Sequence, residues 1–173
     1  MSPEPNGLRS VHYLFADGRA LAIEAEKCNT PKQCLHLFSQ GQVFSDFTYA
    51  TDTSFHEPID RYPLWKEAYP DAYFLLNDRN VDAWVASRRK HRNGTFMERQ
   101  MSFHGLPAKG VESLWRAQYA DHKRKVLNFF GSDRRFCHFV LERDNASKIA
   151  SFVSPDYDLY PARFEHINRS KSD

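Results

Sequence analysis

The chain has 173 residues, the length of a single domain. Its 24 lysines and arginines against 22 aspartates and glutamates give a net charge of +2, which excludes a polybasic nucleic-acid tail and an acidic solvating protein. Because 41% of the residues are hydrophobic and 14% are aromatic, the chain can bury a core, and global disorder is excluded. We expect one domain over residues 1–173, with residues 1–6 and 169–173 frayed.

Composition also bounds location and partners. The longest uninterrupted apolar run is Ala72–Leu76, which is too short for a membrane span. Three cysteines make no disulfide framework and show no zinc spacing, so we expect a cytoplasmic protein with reduced thiols and no metal site. The basic run Arg88–Arg92 has no second cluster beside it, which argues against nucleic-acid binding. We interpret this run as the solvated end of a helix or an extension of an anion site.

The predicted elements of the first half are short. Leu8–Phe15 has the apolar spacing of a helix. Thr30 followed by proline predicts the start of a second helix, which Gly41 ends. The stretch Gln42–Phe47 is a candidate strand, and Pro63 opens another short helix that ends before Pro70-Asp71.

The second half alternates between strands and helices. The stretch Ala72–Asn77 is apolar up to Leu76, as in a strand buried on both faces. We predict helices over Val81–Arg92 and Val111–Phe130, a second buried strand over Phe136–Leu141, and a short helix over Asn145–Phe152. This order predicts an α/β fold in which helices flank a parallel sheet in three layers.

A candidate site follows the first of these strands. In open α/β sheets, ligands bind beyond the carboxyl ends of the strands, and the turn Asn77–Asn80 occupies such an end. Arg79 in that turn has the planar fork that binds phosphate, next to the amides that open a helix. The alternative is a structural salt bridge from Arg79 to Asp78 or Asp82.

The stretch Tyr73–Arg88 resembles the second cofactor motif of the PAPS-dependent sulfotransferases, in which a buried strand, an arginine and a helix with serine eight positions later follow one another. This family transfers sulfuryl groups from 3′-phosphoadenosine 5′-phosphosulfate, PAPS. The resemblance implies that Arg79 and Ser87 hold the 3′-phosphate of PAPS or of its product PAP. It also implies a P-loop NTPase-like sulfotransferase fold.

Two further segments extend the resemblance to about residues 42–169. Leu114–Phe130 is similar to the W-x3-Y-x2-H-x3-V helix of the family, and we interpret it as a structural core stripe. The segment from Phe164 is similar to a C-terminal F-x-H-x-N sequence that lies near the cofactor loop. It implies that His166, Asn168 and Arg169 contribute to cofactor binding.

The N-terminus departs from the family. The family's phosphosulfate loop has the form K-x-G-T-T/R-S after a first strand, and its lysine neutralises the bridging oxygen as the bond breaks. Here Gly7, Arg9 and Ser10 fit the frame, but Pro5 replaces the lysine. The chain is therefore a degenerate non-catalytic relative, a fragment, or an enzyme that has recruited another cation. We expect the first strand to be missing or supplied by another chain, and the exposed sheet edge then favours a homodimer.

Sulfuryl transfer also needs a general base for the acceptor. The family takes it from the segment after the first crossover, where Asp46 is the first candidate and His56 the second; the alternative is that each is a turn or cap residue. The resemblance predicts sulfuryl transfer from PAPS to a hydroxyl or amine of a small-molecule or glycan acceptor. The alternative is a silent nucleotide-binding or interaction protein on the same scaffold.

Overall fold

The structure is a computed structural model that describes residues 7–164. The strands in this range are β1 (Ser10–His12), β2 (Val43–Ser45), β3 (Tyr49–Ala50), β4 (Phe55–His56), β5 (Phe74–Asp78) and β6 (Phe136–Val140). The α-helices are α1 (Leu21–Lys27), α2 (Pro31–Phe38), α3 (Tyr62–Ala68), α4 (Val81–Lys90), α5 (Thr95–His104), α6 (Ala108–Phe130) and α7 (Ala146–Val153). Short 3₁₀ turns cover Ile59–Arg61, His91–Gly94 and Pro161–Arg163.

The chain is α/β, with small sheets rather than one large sheet. β1 pairs in parallel with β2, β5 pairs in parallel with β6, and β3 forms an antiparallel hairpin with β4. The predicted α/β class and parallel pairing are confirmed, but within residues 7–164 the parallel strands form two separate pairs. β1 and β2 have three residues each, and neither is hydrogen-bonded to β5 or β6.

The predicted helix over Leu8–Phe15 is also wrong. Val11 is buried between two more accessible neighbours, which is the alternation of a strand, and it pairs with Phe44 of β2. Leu14, which a helix would have placed on the apolar side, is 40% exposed. β1 is followed by a loop and then by α1.

The other predicted helices are confirmed, with shifts of a few residues at their ends. α2 begins at Pro31, and Thr30 and Gln33 form a reciprocal capping box before it. α6 starts three residues earlier than predicted and ends before Gly131, which has a positive φ of 50°. The elements that the sequence did not predict are α1, α5 and the β3–β4 hairpin.

The buried apolar side chains form two clusters joined by α6. The first lies where β1, α1, α2, α3 and the C-terminal end of α6 meet: Val11, Phe15, Leu21, Ala25, Cys28, Cys34, Leu37, Tyr62, Trp65, Ala68, Val126 and Phe130. The second joins α4, α5 and the N-terminal half of α6: Val85, Phe96, Met97, Val111 and Trp115. α4 starts directly after β5, and the turn between them contacts α6 through the Tyr119 hydroxyl.

Among the described residues, no helix combines the length and apolarity that a bilayer crossing requires.

Candidate functional site

The candidate site is the corner at which β5 ends and α4 begins. Asp78 is the last residue of β5, Arg79 and Asn80 follow, and α4 starts at Val81. The Asn80 side chain accepts a hydrogen bond from the Ala83 amide at 3.0 Å, so it caps the helix. The parallel strand β6 ends at the same edge. The corner thus lies at the carboxyl edge of the β5–β6 pair, where ligands of α/β proteins bind.

Arg79 has no ion-pair partner among residues 7–164. Its side chain is partly buried, and its Nε is enclosed without a hydrogen-bond acceptor. The predicted alternative, a salt bridge to Asp78 or Asp82, is wrong: Asp82 pairs with Arg116 at 2.7 Å, and Asp78 pairs with Lys123 at 2.6 Å. Because a partly buried charge without a counter-ion is unfavourable, Arg79 is well suited to an anionic ligand.

Asp78 holds together the charged groups behind the corner. It is 4% exposed, and its carboxylate lies 2.6 Å from Lys123 Nζ and 2.7 Å from His138 Nε2, with the Tyr119 hydroxyl as a third donor. Burial by itself would raise the pKa of Asp78, but the hydrogen bonds from Lys123, Tyr119 and His138 outweigh it and lower the pKa to about 2. The ionised carboxylate therefore ties β5 to α6 and β6.

Tyr119 connects this network to the main chain of Arg79. The Arg79 amide donates to the Tyr119 hydroxyl at 2.9 Å, and the same hydroxyl lies 2.7 Å from the Arg79 carbonyl oxygen. Burial, and then the hydrogen bond to Asp78, raise the pKa of Tyr119 to about 12, so the hydroxyl keeps its proton. The sequence assigns Tyr119 to a core stripe, and apolar periodicity carries no signal for these polar contacts.

Ser87, the second predicted 3′-phosphate ligand, is exposed on α4. It follows Asn80 by seven residues, close to two helical turns, so the two residues share one side of the helix about 10 Å apart along its axis. No hydrogen bond within the described part of the chain engages the Ser87 hydroxyl. The structure thus places Ser87 in line with the corner without joining it to Arg79.

The residues assigned to the phosphosulfate loop do not form a strand-to-helix turn. Gly7 and Arg9 precede β1, and Ser10 is its first residue. The Arg9 carbonyl accepts from the Gln42 amide at 2.8 Å, and its guanidinium donates to the Ser39 carbonyl at 3.4 Å. The predicted loop geometry is therefore wrong, because this segment pairs with the start of β2.

In the N-terminal part of the described chain, a strand-to-helix loop does occur, but it covers residues 13–20, between β1 and α1. Arg19 is its one cation. The Arg19 guanidinium lies 2.8 Å from Asp17 Oδ2 and 3.1 Å from Glu24 Oε2. The hydrogen bonds from Arg19 lower the pKa of Asp17, so the carboxylate stays charged beside it. The positive charge of Arg19 is therefore already neutralised by Asp17 and Glu24, which weakens its attraction for an anionic ligand.

Asp46, the first candidate base, directly follows β2, at the carboxyl end where the sequence placed it. It adopts a left-handed φ of 59°, which is strained for a residue with a side chain. His12 ends β1 beside it, with Nδ1 3.0 Å from Ser45 Oγ and Nε2 3.9 Å from Asp46 Oδ2. All three side chains are exposed, so this cluster lies in water rather than in a closed pocket.

His56, the second candidate base, lies in the β3–β4 hairpin against α1. Its Nδ1 contacts the carboxylate of Glu26, and its ring lies 6.5 Å from that of Tyr49. A carboxylate on one ring nitrogen fixes the orientation of the imidazole and leaves the other nitrogen for proton transfer. Glu26 lies in a helix that the sequence did not predict, so this pair could not be found from spacing.

Arg88, at the start of the basic run, has a structural role. Its guanidinium pairs with Glu57 at 3.1 Å and lies 4.7–5.0 Å from the rings of Trp84, Phe96 and Trp115. The interpretation as a solvated helix end is therefore wrong at Arg88, whereas residues 89–92 are exposed.

Two main cavities lie elsewhere. One of about 460 Å³ lies between α1 and α2 and is lined by residues that include Arg19, Lys32 and His36. The other, of about 260 Å³, lies between α7 and the residues that follow it. Neither of these two cavities is lined by Arg79 or Ser87. His166, Asn168 and Arg169 lie outside the described residues.

Within residues 7–164, no group of three or more histidine, cysteine, aspartate or glutamate side chains is arranged to hold a metal ion. Comparison with protein-family models, with curated proteins and with solved structures gives no match for this chain.

Proposed function

We propose that the chain is a sulfotransferase-like protein that binds PAPS or PAP, with Arg79 as the ligand of the 3′-phosphate. The observation that carries the proposal is the Arg79 guanidinium, which is partly buried, has no ion-pair partner among residues 7–164, and lies on a corner at the carboxyl edge of two parallel strands. This observation agrees with the resemblance of residues 73–88 to the motif that binds the 3′-phosphate in the sulfotransferases. We also propose that the domain has a three-layer, P-loop-like sulfotransferase fold.

The chemistry of the corner suits a phosphate dianion. A guanidinium gives two parallel N–H donors to phosphate, and such charge-assisted hydrogen bonds are about twice as strong as neutral ones. The first turn of the ten-residue helix α4 adds a partial positive charge at the corner, where the Asn80 amide already donates to the Glu142 carboxylate at 2.9 Å. Ser87, in line with Asn80, is available as an additional donor once a ligand spans the distance along the helix.

Binding is the step that sulfuryl transfer and silent binding share. In transfer, the acceptor oxygen or nitrogen attacks sulfur, the S–O bond to the 5′-phosphate breaks, PAP leaves, and the acceptor proton passes to a base. His56, oriented by Glu26, is the candidate base with the better-defined geometry, and Asp46 is the other. A small-molecule or glycan hydroxyl or amine is the proposed acceptor.

One observation favours silent binding over transfer. Charge stabilisation dominates phosphoryl and related group transfers, so the leaving oxygen needs a cation. The loop of residues 13–20 has no lysine, and Arg19 is shared between Asp17 and Glu24. We therefore infer that nucleotide binding is the primary function of this scaffold, with sulfuryl transfer as the second candidate.

Calorimetric titration with PAP and with adenosine 5′-phosphate, which lacks the 3′-phosphate, tests the proposal. We expect the wild type to prefer PAP, and we expect Arg79→Ala to lose about 30-fold in PAP affinity, or about 2 kcal/mol, with little change for adenosine 5′-phosphate. Arg79→Lys keeps the charge without the fork and should lose part of the preference. Arg134→Ala is the matched control, because it removes one exposed charge just before β6, at the opposite end of the strand pair.

Equal affinity of the wild type for the two nucleotides would contradict the assignment. Radiolabelled PAPS with a panel of phenolic, amine and sugar acceptors separates the two candidate functions. Labelled product that disappears in His56→Ala would support transfer, and PAP binding without product would support silent binding.

A further inference from the structure

The Tyr119 hydroxyl contacts both the amide and the carbonyl oxygen of Arg79, and its single proton is shared between that carbonyl and the Asp78 carboxylate. It accepts from the Arg79 amide at 2.9 Å, lies 2.7 Å from the Arg79 carbonyl oxygen, and contacts the Asp78 carboxylate. One side chain of α6 therefore fixes the residue whose guanidinium we assign to the 3′-phosphate.

Packing of the Tyr119 ring against α4 places its hydroxyl at the corner. The Tyr119 ring centroid lies 4.8 Å from that of Trp84, one turn into α4. Four residues further along α6, on the same face of the helix, Lys123 reaches the same Asp78 carboxylate. The helix thus contacts the corner at two points, and Tyr119 makes the one that bears on the Arg79 backbone.

We propose that Tyr119 is a positioning residue that determines the preference for a 3′-phosphorylated nucleotide. It does so by holding the Arg79 backbone in the conformation from which the guanidinium faces the ligand. This inference rests on the proposed function. Tyr119 does not touch the nucleotide; it acts through Arg79.

The expected loss of PAP affinity follows from the fraction of molecules that adopt the binding conformation. The apparent dissociation constant rises as the fraction of molecules in the binding conformation falls. Without the hydroxyl, the amide and carbonyl of Arg79 exchange one fixed partner for water. If the competent fraction falls to about one tenth, PAP affinity falls about tenfold. Adenosine 5′-phosphate, which does not need Arg79, should bind as before.

Tyr119→Phe tests the inference because it keeps the ring against Trp84 and removes only the hydroxyl. We expect the ratio of PAP affinity to adenosine 5′-phosphate affinity to fall about tenfold, and amide exchange at Arg79 to accelerate. Tyr69→Phe is the matched control: it removes a tyrosine hydroxyl that donates to the Leu35 carbonyl at 2.9 Å. Both measurements should stay at wild-type values in this control.

Full preference in Tyr119→Phe, with Arg79→Ala defective, would overturn the role of Tyr119 and leave the proposed function standing. No preference in the wild type would overturn both.

Discussion

Asp78→Asn provides the sharpest test of the network behind the corner. The carboxylate is 4% exposed, and its pKa is lowered to about 2 against a reference of 3.8. A lowered folded-state pKa contributes stability that is fully present above the unfolded pKa and is lost as the pH falls through the folded value. The difference corresponds to about 2 kcal/mol at pH 5, and to about half of that at pH 3.

The assay is urea unfolding of the wild type and of Asp78→Asn at pH 5 and at pH 3. The pKa of Tyr119 is raised to about 12, so its hydroxyl stays protonated at both pH values and the pH dependence reports on the Asp78 carboxylate. We expect the stability advantage of the wild type over the variant to be about 1 kcal/mol larger at pH 5 than at pH 3. The control Asp82→Asn removes a 74% exposed carboxylate, and its stability should stay close to that of the wild type at both pH values. A gap between wild type and Asp78→Asn that does not change with pH would refute the reasoning.

Two further predictions concern the parts of the fold that support the corner. Trp115→Ala should destabilise the chain by about 3–5 kcal/mol in urea unfolding, because Trp115 is fully buried in the cluster that joins α4, α5 and α6; a loss below about 1 kcal/mol would show that this cluster is not packed as described. Thr30→Ala should cost about 1 kcal/mol by removing the capping bond to Gln33 at the start of α2, and Thr30→Ser, which keeps the hydroxyl, should restore most of it; equal stability of the two variants would contradict the capping role.

The sequence predicted the elements whose signal is local. The strand before Arg79, the helices α2, α4 and α6, and the strand Phe136–Val140 all follow from periodicity and capping residues. The prediction that the first of these strands is buried on both faces is wrong, because Leu75 is 45% exposed. Their boundaries differ by a few residues because the last turns depend on tertiary contacts. The carboxyl-edge position of Arg79 followed from the same local signals.

The N-terminal third was predicted poorly for a physical reason. The apolar residues of Leu8–Phe15 fit a helical stripe and a short strand equally well, and pairing with β2 decides for the strand. A pairing partner more than thirty residues away leaves no local trace. The loop assignment of Gly7, Arg9 and Ser10 failed with the helix on which it depended.

The contacts of the candidate site could not be predicted from spacing. Asp78 lies 41 residues from Tyr119 and 60 residues from His138 along the chain, and only the packing of α6 against β5 and β6 brings their side chains together. Glu26 meets His56 by the same kind of long-range packing. The homodimer, the acceptor and the roles of His166, Asn168 and Arg169 stay predictions.

A crystal structure of the chain with PAP tests the central claim most directly. We predict that the 3′-phosphate lies within about 3 Å of the Arg79 guanidinium, as in other bidentate arginine–phosphate pairs, with the Tyr119 hydroxyl still on the Arg79 main chain. A nucleotide bound with its 3′-phosphate in solvent, or held by other cations while Arg79 points elsewhere, would contradict the account.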